Sequence, residues 1–258
     1  MDALFDDATR RMRDALAAFL DRSVRPAEPV YQAQLGAQDD PWHWTAPPVL
    51  ADLQAEAKEL GLWNLFLPGD EGAGLSSVEH APLAELAATS PIGPAAINGS
   101  APDTTVMELL AAHGTPAQKH RWLEPLLDAR VRSSVAAAPV GTSIVRDGEE
   151  YVVSGLQPAV PGALNPDARI FVVTGETDPS AAAGRRSSRV LVPRCADGLS
   201  VHRSTHVVGG REDVQPGGLA VLVLDEVRVP VTNLLGDEGD GEVLGRPHAG
   251  LDGRRRTG

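Results

Sequence analysis

Near residue 130 the chain changes its period. Before that point apolar residues recur at steps of three and four, the spacing of one buried helix face. After it they come in short β-branched runs divided by Gly, Pro, Asp and Ser. Phe5, Ala8, Met12, Leu16 and Phe19 form a first helical stripe. Leu50, Leu53, Ala57 and Leu60 form a second, opened by Pro47 and Pro48 and closed by Gly61. Between the two runs a Pro- and Trp-rich connector, DDPWHWTAPP. Ser76 with Glu79 has the spacing of a capping box and predicts a third helix, bent at Pro82. DTTVMELLAAHG predicts a fourth, ended by Gly114, and Thr115, Pro116 and Gln118 open a fifth. EEYVVSG, RIFVVTG, SRVLVP, LSVHR and LAVLVLDEV then read as strands of an antiparallel barrel or sandwich. Helices followed by strands, without alternation, imply an α+β multi-domain chain rather than a doubly wound sheet. The expected division is an all-α N-terminal domain over 1–130, a β domain over 131–235, and a linker and tail over 236–258, whose end should fray.

Charge and composition exclude several functions. A net charge of -12 argues against nucleic acid, which needs a basic face. No apolar run is long enough for a spanning helix, and the acidic N-terminus lacks the apolar core of a signal peptide, so a cytoplasmic protein is expected. The single Cys195 excludes an internal disulfide framework and a Cys-rich metal site. Two basic clusters, GRRSSR at 184–189 and the GRRR tail, read as a solvated loop and a frayed end; the alternative is a phosphate contact, for which CoA is a suitable anion. His202 and His206 are spaced H-x-x-x-H, but on strand and turn and without a neighbouring Glu, so no zinc site is expected. His113 and His120 flank a helix break and are expected to be exposed. GDEGAGLS reads as a turn, and no G-x-S-x-G nucleophile motif is present. The residues alone give no catalytic constellation.

Four stretches, in consistent order, resemble the acyl-CoA dehydrogenase family. GLWNLFLPGDEGAGLS (61–76) is similar to a segment of its helical domain, and AINGSAPDTTVMELLAAHGTPAQKHRWLEPLLDARVRS (96–133) to the helices leading into its middle domain. VLVPRCADGLSVHRSTHVVGGRE (190–212) is similar to its strands. LDEVRVPVTNLLGDEGDG (224–241) is the most specific, matching FxxVRVPxxNLLGxEGxG. The resemblance implies a helical domain followed by a β domain, and FAD-dependent α,β-dehydrogenation of an acyl-CoA thioester with a carboxylate as general base. It also implies that the acyl chain lies between helices, with Asn98, Ser100 and Thr104 lining its pocket. The alternative for these residues is helix capping by Ser100 or Asp103 ahead of Val106.

The resemblance thins where the flavin should be held. The family's FAMTEPxxxSSD stands here as SVAAAPVGTS: Val135 replaces the aromatic, Ala137 the Met and Ala138 the Thr, while the Glu before Pro139 and the Ser-Asp are absent. The family's GRKWWxSGA stands as GLQPAVPGA, with Pro158 and Ala159 at the Trp pair and Val160 and Pro161 where a flavin-contacting hydroxyl usually lies. The cofactor positions implied are therefore Val135, Ala137, Ala138, Val160 and Pro161, all stripped of aromatic surface and hydroxyls, and weakened FAD binding is expected. The family's C-terminal four-helix domain, source of the catalytic carboxylate and the oligomer interface, has no counterpart in these residues. No catalytic residue is assigned, and Asp225, Glu226, Asp237 and Glu238 read as solvated structural groups. Apolar surface that such a domain would cover should find a partner. Three readings stay open: a catalytically incomplete dehydrogenase, a non-catalytic subunit of a full-length flavin-bearing relative or of a homo-oligomer, and an acyl-CoA-binding module.

Overall fold

The computed structural model describes residues 6–38, 45–138, 141–203 and 218–242. Phe5, the Trp pair of the connector, Pro139, His206 and the GRRR tail lie outside the described residues. Asp6 caps the first helix, its carboxylate accepting from the Thr9 amide at 2.8 Å. Helix α1 (Asp7–Phe19) does not stop where its apolar stripe was read to end. It runs through a π-helical turn (Leu20–Val24) into α2 (Arg25–Gly36). Leu16, Leu20, Val24, Tyr31 and Leu35 are all buried along this length. Pro26 has no N–H to give the helical ladder, and the wider turn just before it lets the helix continue with its apolar face inward.

Helix α3 (Pro48–Glu59) and helix α4 (Ser77–Ala87) follow, the latter with both capping-box bonds formed between Ser76 and Glu79. A short α5 (Gly93–Ala96) precedes α6 (Asp103–His113), which ends at Gly114. Helix α7 (Pro116–Gln118) opens on a second capping box between Thr115 and Gln118 and passes through another π turn (Lys119–Leu123) into α8 (Glu124–Leu127). That second π turn also sits just ahead of a proline, Pro125.

Among the described residues seven strands follow: β1 (Arg132–Ala136), β2 (Thr142–Asp147), β3 (Glu150–Pro161), β4 (Ala168–Glu176), β5 (Ser187–Pro193), β6 (Leu199–Arg203) and β7 (Leu219–Pro230). Their order is β1-β4-β2-β3-β7-β6, with β5 beside β4. The sheet is mixed and not purely antiparallel, because β1 and β4 run parallel and β2 meets β4 in the same sense. The β2–β3 hairpin separates β1 from β4 in sequence, which gives the chain room to return in its original direction.

Strand β4 is buried on both faces, which is why RIFVV reads as one continuous apolar run. Phe171 and Val173 enter the core of the β domain, while Ile170 and Val172 meet Val106, Leu110 and Leu126 of the helical layer. This second core joins the helices to the sheet. Two expectations fail nearby. His113 is half-buried, and Arg189 is no part of a solvated loop: it lies on β5 with 7% exposure. Among the described residues no helix is long and apolar enough to cross a membrane, and no His, Cys, Asp and Glu cluster could hold a metal ion.

Gly155 sits where β3 crosses the start of β2, at φ 140°, and a Cβ there would lie 2.0 Å from the Gly141 carbonyl oxygen. Gly155→Ala is therefore expected to cost about 3 kcal/mol, from backbone strain and overpacking together. Chemical denaturation of the variant checks this.

Candidate functional site

A cleft of about 90 Å³ opens between the helical layer and the beginning of the sheet. Tyr31 of α2 and Leu50 of α3 form one wall. Asn98 and Ser100 enter from the loop before α6, Asp103 from its first turn, and Arg132 from the head of β1. Asp103 is buried, and its carboxylate is fully engaged. One oxygen accepts from the Ser133 amide at 2.6 Å and the Ser133 hydroxyl at 2.7 Å; the other accepts from Arg132 Nη1 at 3.2 Å. Burial nevertheless pushes the Asp103 carboxyl up, outweighing the downward pull of Arg132 and Ser133.

Asn98 adopts φ 55° and is 2% exposed. Its amide donates to Asn64 Oδ1 at 2.7 Å and to the Leu126 carbonyl at 3.0 Å, and its oxygen accepts from Arg132 Nη1 at 3.3 Å. A polar seam thus ties α6, α8 and β1 together at the cleft floor. Tyr31 is 3% exposed, and burial pushes its phenol up against the opposing pull of Arg132.

The structure brings Asn98 and Ser100 into this cleft; Thr104 is half-buried outside its lining, its amide bonded to the Ser100 carbonyl at 3.2 Å. Neither Ser100 nor Asp103 caps α6. The N-cap is Pro102, without a side-chain cap bond, and the Asp103 carboxylate reaches across to β1 instead. Sequence reasoning missed Asp103, Arg132, Ser133 and Tyr31 as site residues. The available signal was that Asp103 is the lone charge inside the otherwise uncharged stretch 98–107, and that Arg132 opens the uncharged run 133–145.

The implied cofactor positions do not converge on a ring-binding surface. Val135 is half-buried against the helical layer, Val160 is buried in the β core, and Ala137 and Pro161 are exposed. Pro161 has no N–H, and its carbonyl accepts from the Ser134 hydroxyl. Gln157 is fully buried and clamps the segment shut. Its Oε1 accepts from the Ala138 amide at 3.1 Å, and its Nε2, with two hydrogens to give, lies within reach of the Ala138 carbonyl at 2.6 Å, the Thr174 carbonyl at 2.8 Å and Thr142 Oγ1 at 2.9 Å. An isoalloxazine needs hydrogen-bond donors for its ring carbonyls and nitrogens, and here the Ala138 N–H is already given to Gln157 while Pro161 has none to give. Among the described residues these positions do not fit FAD. They present an apolar skin of Ala137, Leu156, Pro158 and Ala159 instead.

The other candidates fall into structural roles. Asp225, Glu226 and Asp237 are exposed. Glu238 accepts a hydrogen bond from Tyr151, whose phenol is pushed up to about 12 by burial and then by that bond. His202 is exposed, with Nε2 2.9 Å from Ser200 Oγ. His120 is exposed and pairs with Glu124.

A helical layer joined through an apolar core and a polar seam to a mixed sheet of seven described strands defines the class, the acyl-CoA dehydrogenase fold. A provisionally assigned acyl-CoA dehydrogenase of Mycobacterium abscessus superposes with a TM-score of 0.86 at 35% identity, covering 93% of this chain and 62% of that one. A glutaryl-CoA dehydrogenase of Mycobacterium smegmatis in complex with FADH2 shares the fold at a TM-score of 0.67 and 18% identity, over 95% of this chain and 60% of that one. The chain belongs to the acyl-CoA dehydrogenase family. Residues 6–130 match the family's N-terminal domain. "Probable acyl-CoA dehydrogenase FadE2" of Mycobacterium tuberculosis is 40% identical over 249 residues, 92% of this chain, and the chain spans 60% of that relative's length.

Proposed function

We propose that the chain holds an acyl-CoA thioester in the cleft between Asn98, Asp103 and Arg132, as the acyl-binding part of FAD-dependent α,β-dehydrogenation, and does not perform the oxidation alone. The observation that carries this reading is the contrast between an open cleft where the acyl chain is expected and a flavin segment closed by Gln157. Asp103 is the carboxylate nearest to hand, yet both its oxygens are engaged with Ser133 and Arg132, so it is not free to take an α proton. The base and the flavin are left to a partner, a full-length flavin-bearing subunit. A stand-alone acyl-CoA-binding module is the second reading, favoured by the same Gln157 clamp. We place the protein in the cytoplasm, in keeping with its one exposed cysteine, Cys195.

Equilibrium dialysis against a short alkanoyl-CoA tests the proposal. Saturable binding is expected, with no enoyl-CoA formed when FAD and an artificial electron acceptor are added. Absence of binding overturns the assignment of the cleft, and enoyl-CoA from the chain alone overturns the division of labour.

A further inference from the structure

The cleft offers polar groups that a plain hydrocarbon tail leaves unused. Arg132 gives Nη1 to Asp103 and Asn98, and its other guanidinium N–H groups make no hydrogen bond among the described residues. Tyr31 lines the same space, more than nine-tenths buried as a residue, and its hydroxyl makes no hydrogen bond among the described residues. The Ser100 hydroxyl and the Asn165 amide nitrogen are likewise without a described partner, the Asn165 oxygen being used by the Asp167 amide at 2.8 Å. A methylene chain entering here would strip water from these groups and return nothing, an arrangement that native sites avoid.

We infer that the cleft selects an acyl group whose far end carries a neutral oxygen function, a hydroxyl or a carbonyl, received by Arg132 and Tyr31. This rests on the cleft being the acyl site proposed above. Charge decides between neutral and anionic ends. Arg132 and Asp103 are the charged residues of the lining, and they already neutralise one another at 3.2 Å. A carboxylate would add an uncompensated negative charge beside Asp103, whereas a hydroxyl or carbonyl accepts from the spare guanidinium and phenol donors without one. Asn98 and Asp103 act here as positioning residues, fixing the guanidinium plane through Nη1 and leaving its remaining edge to the ligand.

Calorimetric titration of the chain with matched alkanoyl-, ω-hydroxyalkanoyl- and ω-carboxyalkanoyl-CoA thioesters of four to eight carbons tests this. Within the length that fits, the hydroxy thioester should bind about ten- to a hundredfold tighter than the alkanoyl one, the worth of one hydrogen bond to a charged group. The carboxy thioester should bind more weakly than the hydroxy one. Tyr31→Phe and Arg132→Lys, which keep the ring packing and the Asp103 pair respectively, should each bring the hydroxy-to-alkanoyl ratio toward unity. Equal or tighter alkanoyl binding overturns the inference but leaves the acyl site standing. Tighter binding of the carboxy thioester overturns the neutral-end assignment. No binding by any thioester overturns the acyl site and the inference with it.

Discussion

Asp103→Ala is expected to lower the unfolding free energy by about 3–5 kcal/mol, the usual cost of removing one partner from a buried ion pair. The loss is large because three donors converge on that carboxylate. Removing it leaves the Ser133 amide and hydroxyl unpaired in a buried position and Arg132 without its counter-charge. It also cuts the seam between α6 and β1, so denaturation should become less cooperative between the helical and β parts. Asp103→Asn keeps an oxygen for Ser133 and should lose less. The pH dependence has a definite sign. Burial raises the folded pKa of Asp103, so its contribution is fully present at acid pH and lost as pH rises through the folded value. Exposed carboxylates such as Asp6 and Glu79, lowered by hydrogen bonds from Thr9 and Ser76, contribute in the opposite direction, and theirs is lost as pH falls. The gap between wild type and Asp103→Asn should therefore narrow as pH increases. Urea midpoints across a pH series measure it.

Gln157→Leu is the second large effect. One fully buried amide side chain accepts from the Ala138 amide and shares its two N–H groups among the Ala138 carbonyl, the Thr174 carbonyl and the Thr142 hydroxyl. Leucine fills similar space and satisfies none of them. Each orphaned buried group costs roughly 1–3 kcal/mol, and since Ala138 is partly open to water the total expected is about 3 kcal/mol. Hydrogen exchange gives a sharper readout than stability alone. The Ala138 amide should pass from protected to fast-exchanging, while strand amides of β4 and β5 keep their protection. Unchanged exchange at Ala138 would show that the segment is held by something other than Gln157.

Much of this fold was legible where local rules act alone. The capping boxes at Ser76 and Thr115, the Gly114 stop and the β-branched runs of β3, β4, β5 and β7 each carry their own signal within a few residues. Strand β1 was not legible, because RSSVA has neither a β-branched run nor clean alternation; it becomes a strand through pairing with β4, a partner more than thirty residues away. The same non-locality hid the parallel pairing and the continuation of α1 through a π turn. Asn98 and Ser100 were found in the cleft through resemblance. Asp103 escaped because a carboxylate in a first helical turn has an ordinary local explanation, and only the position of Ser133 and Arg132 reveals its actual partners. Gln157 escaped for a related reason. Its place in a degenerate motif drew notice to what had been lost, not to the hydrogen bonds to Ala138 and Thr174 that close the gap.

The division between an acyl-holding cleft and a closed flavin segment is tested most directly by one spectrum. The purified chain is incubated with excess FAD, desalted, and its visible absorbance recorded. A colourless protein, with no retained flavin band, is the expected result. A yellow protein carrying one flavin per chain, bleached on addition of an acyl-CoA, would contradict the account.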